Sequence, residues 1–260
     1  MIITVANQKG GVGKTTTVVA LAYNLHRMGH KVAVIDLDPQ ANTTSTFGLT
    51  PDQVLQGPNV FRFFSGEQRL LEVVETECGV WLAPSHIGLA HTERALYAEV
   101  NREQRIASQM GVYFSEFDVT LIDSPPSLGI LTYNGLAACD TVLAPIQSEP
   151  YAIEGLTMLL DTLEEVRRYG LNPRCQLGGA ALTMVDRRRN VDIRTSEAVR
   201  DVLGDVVFET PIPRDVRMVE MTETGNLSLL DGDSNAAVAY RQLAQEVVDR
   251  WGERWMTKWA

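Results

Sequence analysis

Unbroken apolar runs alternate along this chain with segments whose apolar positions recur every three or four residues. The unbroken runs cover residues 2–6, 31–36, 79–83, 117–123, 141–145 and 178–185. A strand with no polar side has both faces covered, so these runs predict the interior strands of a parallel sheet. Helical spacing at 18–28, 130–138, 152–169 and 191–203, and from about 235 onward, predicts the covering helices. Two further helices are expected at 67–74 and 87–110. The Thr- and Ser-rich stretch 43–78 carries the weakest pattern. Alternation of this kind predicts an α/β fold: a doubly wound, mainly parallel sheet flanked by helices, with right-handed connections.

A chain of 260 residues with 45% hydrophobic content is enough for one large core. We therefore expect a single domain over 1–260 that ends in a helix at about 235–258. No apolar run reaches the ~18 residues that span a bilayer. Met1 leads into a strand rather than a basic, then apolar, then small-residue signal. A cytoplasmic protein is expected. Cys78, Cys139 and Cys175 are far apart and lack metal or redox spacing, so they read as reduced, mostly buried thiols. His86 and His91 likewise show no metal partner and read as surface or capping residues. The net charge of −10 gives no general attraction to nucleic acid or anionic lipid, so either partner would need a local basic patch.

The chemistry is concentrated where strands end. Residues 9–16 read Lys-Gly-Gly-Val-Gly-Lys-Thr-Thr between the first strand and the first helix. The common phosphate loop has Gly, four further residues and then Gly-Lys-Ser/Thr, and Gln8 stands at that leading position instead. Even so, Gly10, Gly11, Val12 and Gly13 can turn backbone N–H groups onto an anion at a helix N-terminus. Lys14 would reach the β/γ-phosphates of ATP, and Thr15, followed by Thr16, would ligate Mg²⁺. Asp36 and Asp38 lie at the end of the second run, in Asp-Leu-Asp-Pro-Gln, on the side where parallel sheets bind ligands. A polar turn capping the next helix is the plainer reading. Asp123 closes another buried run before Pro125-Pro126, the arrangement that holds Mg²⁺ in nucleotide hydrolases. Together these give metal roles to Thr15 and Asp123.

The octapeptide, Asp-Leu-Asp-Pro-Gln and the Asp123 segment fall in an order that resembles the ParA/MinD ATPases, with their deviant Walker A motif. The resemblance runs from Met1 to about residue 250. It implies that Lys9, which would otherwise read as a solvated lysine at a strand exit, crosses a dimer interface to the partner's nucleotide. Asp38 would act on the attacking water, so the resemblance makes Lys9, Lys14 and Asp38 catalytic. It would also place Asp36 near the same Mg²⁺, in a metal role. Pro213 would pack against the base. Asp215 stands where many members carry Asn.

Within the family the chain is most similar to the short ParA/Soj type of chromosome or plasmid partition ATPase, without an added helix-turn-helix domain. The implied activity is slow hydrolysis of ATP to ADP and phosphate. The implied cycle is an ATP-dependent homodimer that holds double-stranded DNA nonspecifically on the nucleoid and lets go when a ParB-like partner stimulates hydrolysis. Arg187, Arg188, Arg189 and Arg217 are the DNA candidates. Between 186 and 217, however, seven arginines face seven acids, so a solvated surface remains the other reading. A MinD-like membrane-associated positioning ATPase is the alternative. Trp251, Trp255 and Trp259 at spacing four read as core or subunit packing, because acids balance the cations of that helix and a membrane-surface helix needs a cationic face. An iron–sulfur reductase of the same superfamily would need paired interfacial cysteines, which this chain does not supply.

Overall fold

The computed structural model describes residues 1–96, 98–111 and 113–256, with side chains through 253 at the C-terminal end. Seven strands form one sheet: β1 (Ile2–Val5), β2 (Val32–Asp36), β3 (Val74–Glu75), β4 (Trp81–Ala83), β5 (Val119–Asp123), β6 (Thr141–Gln147) and β7 (Leu177–Thr183). Their order is β3-β4-β2-β5-β1-β6-β7. Every neighbouring pair is parallel except the edge pair β3 and β4. β1, β2, β5 and β6 are buried along their whole length, as unbroken apolar runs require.

The helices are α1 (Lys14–Arg27), α2 (Asn42–Thr46), α3 (Pro51–Gln56), α4 (Val60–Ser65), α5 (Leu89–Leu96), α6 (Ala107–Met110), α7 (Ile130–Ala138), α8 (Ala152–Arg168), α9 (Asn190–Leu203), α10 (Val216–Thr224) and α11 (Asn235–Met256). One core layer gathers Val18, Leu21 and Leu25 of α1 with Leu243, Val247 and Trp251 of α11. The other gathers Leu131 and Leu136 of α7 with Leu156, Leu159 and Leu163 of α8. Two packed layers on one sheet make the doubly wound architecture. Among the described residues no helix is long and apolar enough to cross a membrane.

Two expected helices are corrected. Residues 67–73 form turns that lead into β3, because Gly66 closes α4 in the left-handed region and only Leu71 of the following residues is fully buried. The expected helix at 87–110 is interrupted after α5. Asn101 takes φ 55°, a short 3₁₀ turn covers Arg102–Gln104, and α6 follows. Tertiary bonds hold that break: Asn134 Nδ2 donates to the Arg102 carbonyl (2.7 Å), and Arg105 donates to the carbonyls of Phe63 and Phe64. Residues 60–65, which read only as a short apolar piece, form α4 under an Asn59 cap.

Candidate functional site

The site lies beyond the carboxyl ends of β1, β2 and β5. Asn7 fixes the exit from β1: its side-chain amide donates to the Pro145 carbonyl (2.7 Å), and its Oδ1 accepts from Lys9 N–H (3.0 Å). Gly11 (φ 72°) and Gly13 (φ 88°) occupy the left-handed region, where a Cβ is strained. Gly13 is the N-cap of α1, and no side chain caps that end. The first N–H groups of α1 are thus left for an anion, which the helix dipole favours. Lys14 is buried with its ammonium on the Lys9 carbonyl (3.2 Å). Burial lowers its pKa, while Asp123 and Asp38 oppose that shift.

Asp36 and Asp123 stand opposite one another on β2 and β5. Asp123 Oδ2 accepts from the hydroxyls of Thr15 (2.8 Å) and Thr43 (2.7 Å). Its Oδ1 is buried without a hydrogen-bond partner. Burial pushes the carboxyl up to about 6 against the two hydroxyl bonds, and the Asp38 charge adds to the rise. Asp38 is also raised, first by burial, with Gln40 N–H and Lys14 opposing. Asp36 is held well above the usual carboxylate range by burial and then by Asp123. Three buried acids therefore face one buried ammonium.

That imbalance, with an orphaned oxygen beside the Thr15 hydroxyl, fits a divalent cation. Mg²⁺ is commonly held by one or two protein oxygens together with substrate phosphates and water. It needs no larger cage, and among the described residues no three His, Cys, Asp or Glu side chains form one. Asp36 is placed differently from Asp123. Its Oδ1 accepts from Asp38 N–H, and its Oδ2 accepts from Thr44 N–H and Oγ1–H, so its carboxylate is committed to the turn that follows β2.

Gly10, Gly11, Gly13, Lys14, Thr15 and Thr16 line an open cleft with Asp38 and Pro126. Val12 is buried beneath, its carbonyl accepting from Thr183 Oγ1 (2.8 Å). Pro213 borders a smaller cavity of ≈ 140 Å³ beside Gly13, Thr16, Met184 and Tyr240, adjacent to the loop. Lys9 pairs within its own chain: its ammonium lies 3.1 Å from Glu149 Oε2. Glu149 Oε1 also accepts from Gln147 Nε2 (2.6 Å) and faces Arg214 Nη2 at 3.6 Å.

The arginine candidates divide. Arg188 makes a two-pronged bond to Asp186, which pulls that carboxyl down to about 2, and Arg189 lies 3.5 Å from Asp192. Arg187 and Arg217 are exposed and in no ion pair among the described residues. Thr43, Thr44, Ser85 and Glu149 were not legible as site residues. The two threonines sit in the weakly patterned stretch, Ser85 is one hydroxyl after a short strand, and Glu149 shares no motif with Lys9.

Loop, buried acids and sheet position define a phosphate-loop nucleoside triphosphatase of the deviant, two-lysine kind. A family model described as an AAA domain matches residues 1–177. Sporulation initiation inhibitor protein Soj of Bacillus subtilis is 39% identical over 95% of this chain and 97% of its own length. Chromosome-partitioning ATPase Soj of Thermus thermophilus is 41% identical over 95% of each chain. A crystal structure of cobyrinic acid a,c-diamide synthase from Mycobacterium smegmatis, with bound ATP analogue and magnesium, superposes with TM-score 0.82. It is 34% identical and covers 96% of this chain and 95% of its own. The chain belongs to the Soj/ParA family of chromosome-partitioning ATPases.

Proposed function

We propose that this chain is a partition ATPase whose Mg·ATP-bound homodimer holds DNA and whose hydrolysis lets it go. The observation that carries the proposal is the convergence of Lys14, Thr15, Asp38 and Asp123 on an uncapped helix N-terminus, with a second lysine, Lys9, at its rim. Gly10 to Gly13 and Thr16 would cradle the phosphates of ATP, Lys14 would neutralise them, and Pro213 would meet the base. Thr15 and Asp123 would hold Mg²⁺, which supplies charge neutralisation at the phosphates. Asp36 would lie near the metal shell beside Asp123 while its carboxylate fixes the turn that carries Asp38.

Asp38 orients a water whose oxygen attacks the γ-phosphorus. The bond to ADP breaks, and the water's proton leaves with inorganic phosphate or solvent. Lys9 acts on the partner's nucleotide, by analogy with trans cations worth ~10³ or more in rate. Basal turnover is slow, and a ParB-like protein stimulates it. The whole of 1–260 works as one domain, in the cytoplasm and on the nucleoid.

The deciding experiment is DNA retention with and without ATP at two salt concentrations, alongside lipid sedimentation in the same buffer. ATP-dependent DNA binding that weakens with salt supports the proposal. Strong lipid binding without DNA binding overturns it in favour of the MinD-like alternative. Asp38→Ala is expected to keep ATP and lock the dimer while losing hydrolysis, and a monomeric variant in saturating ATP would count against that role.

A further inference from the structure

We propose that Ser85 and Thr44 are positioning residues for Asp38, acting through a closed ring of hydrogen bonds beneath the catalytic turn. The inference rests on the reading of Asp38 as the residue that orients the attacking water.

The ring can be followed atom by atom. Asp38 N–H donates to Asp36 Oδ1 (3.1 Å), and the Asp38 carbonyl accepts from Ser85 Oγ–H (2.6 Å). Ser85 N–H donates to Thr44 Oγ1 (2.8 Å), and that hydroxyl donates in turn to Asp36 Oδ2 (2.7 Å). Thr44 N–H adds a second bond to the same Oδ2 (2.9 Å). Asp36, Thr44 and Ser85 are at most 2% exposed and Asp38 is 8% exposed, so bulk water cannot replace a missing member. A buried polar group left without its partner keeps the full cost of its desolvation, so each hydroxyl has a strong reason to stay engaged.

The turn itself needs this support. Gln40 N–H bonds back to Asp38 Oδ1 (2.9 Å) and Ala41 N–H to the Asp38 carbonyl (2.9 Å). Ala41 takes φ 54°, a left-handed conformation that carries a cost for a residue with a Cβ and persists only where its surroundings over-determine it. Ser85 supplies part of that from another strand. It follows β4, whose Ala83 pairs with Ile35 of β2, and it reaches Asp38 from 47 residues away. Asp38 is thereby fixed at its N–H by one neighbour, at its carbonyl by two, and at one carboxylate oxygen by a fourth. Its other carboxylate oxygen is left to the cleft. A reacting group held this way loses rate when displaced by a fraction of an ångström, without loss of substrate affinity. Ser85 also opens the connection to α5, so movement in that flank reaches Asp38 through one hydroxyl.

Thr44→Val keeps the side chain's shape and removes its hydroxyl, Thr44→Ser keeps the hydroxyl, and Ser85→Ala breaks the ring from the other strand. These variants and Asp38→Ala would be compared by single-turnover hydrolysis of Mg·ATP and by the Kd of a non-hydrolysable ATP analogue. Ser85→Ala and Thr44→Val are expected to hydrolyse ~10-fold to 100-fold more slowly. Their Kd should stay within twofold of the wild type, and Thr44→Ser should hydrolyse close to the wild-type rate. Wild-type hydrolysis in Ser85→Ala and Thr44→Val, with Asp38→Ala inactive, overturns the ring and leaves Asp38 in its role. A parallel loss of analogue affinity in all three ring variants, Thr44→Ser included, overturns positioning in favour of a purely structural role. Hydrolysis at the wild-type rate in Asp38→Ala overturns the reading of Asp38 itself, and the ring with it.

Discussion

At the scale of single residues, the site is a buried cluster of acids waiting for positive charge. Asp123 has a folded-state pKa of about 6, above its ordinary 3.8, because burial disfavours the carboxylate. The native protein therefore holds this proton more tightly than the unfolded chain does. The stabilisation is complete below about pH 4 and is lost as pH rises through about 6. Asp36 and Asp38 are shifted in the same direction. Thermal unfolding of ligand-free protein should thus show stability falling between about pH 4 and pH 6, and falling less in Asp123→Asn. Added Mg²⁺ and ADP should raise Tm more at pH 7.5 than at pH 5. An equal shift at both values would contradict a cation site built on Asp123. Of these residues, Lys14, Thr15 and Asp123 were legible from the loop and from a strand end, while Lys9 and the role given to Asp38 came only with the family resemblance. Thr43 and Glu149 were not legible, because tertiary folding alone brings them to Asp123 and Lys9.

At the scale of elements, strands and long helices follow from periodicity, and the exceptions have local causes. The strand within 117–123 and the helix within 152–169 lie where continuous burial and 3.6-residue spacing put them, whereas the helix at 130–138 is buried on nearly every side. The expected helix at 87–110 fails because Asn134 captures the Arg102 carbonyl, just after Asn101, and Arg105 turns away to the carbonyls of Phe63 and Phe64, which no local pattern signals. The last helix shows the opposite case. Trp251 is buried edge-on to Phe208, with ring centroids 5.7 Å apart, and Arg250 lies over the same Phe208 ring while bonding the carbonyls of Gly178 and Val206. Trp251 packs as core; the Trp255 side chain and Trp259 lie outside the described residues. Trp251→Ala should cost about 3–5 kcal/mol in denaturant unfolding. Gly179→Val, whose Cβ would come within 2.6 Å of Phe208, should destabilise by about 1–3 kcal/mol through overpacking. Neither change touches the phosphate loop, so nucleotide affinity per folded molecule should stay at the wild-type value.

At the scale of the whole molecule, net charge and local charge make different demands. A chain with net charge −10 repels a polyanion unless its cations are segregated. Arg188 and Arg189 are paired with acids nearby, which leaves Arg187 and Arg217 as the exposed cations outside such pairs among the four candidates. If DNA is gripped here, log Kd against log salt should show a slope of about 0.9 per phosphate neutralised. Arg217→Ala should flatten that slope by about one contact without altering ATP hydrolysis in the absence of DNA. The arginines were legible only as a count, since their pairing depends on the turn at 185–190.

The contact between Lys9 and Glu149 bears on how such a molecule could be switched. Both partners are about one-third exposed, at 36% and 35%, and a bridge of that kind is worth no more than about 1 kcal/mol. The end of β6 therefore behaves as an ion-exchange site, where one carboxylate carries Lys9 and Arg214 as loosely held counterions. In the proposed dimer, an anion in the facing chain would draw Lys9 away at little cost, and Arg214 would stay behind to neutralise Glu149. Glu149→Gln removes the competitor, and half-maximal ATP-dependent dimerisation, followed by light scattering, should then need less protein. Commitment to the dimer would be set by which anion the lysine meets, with no refolding of the chain that carries it.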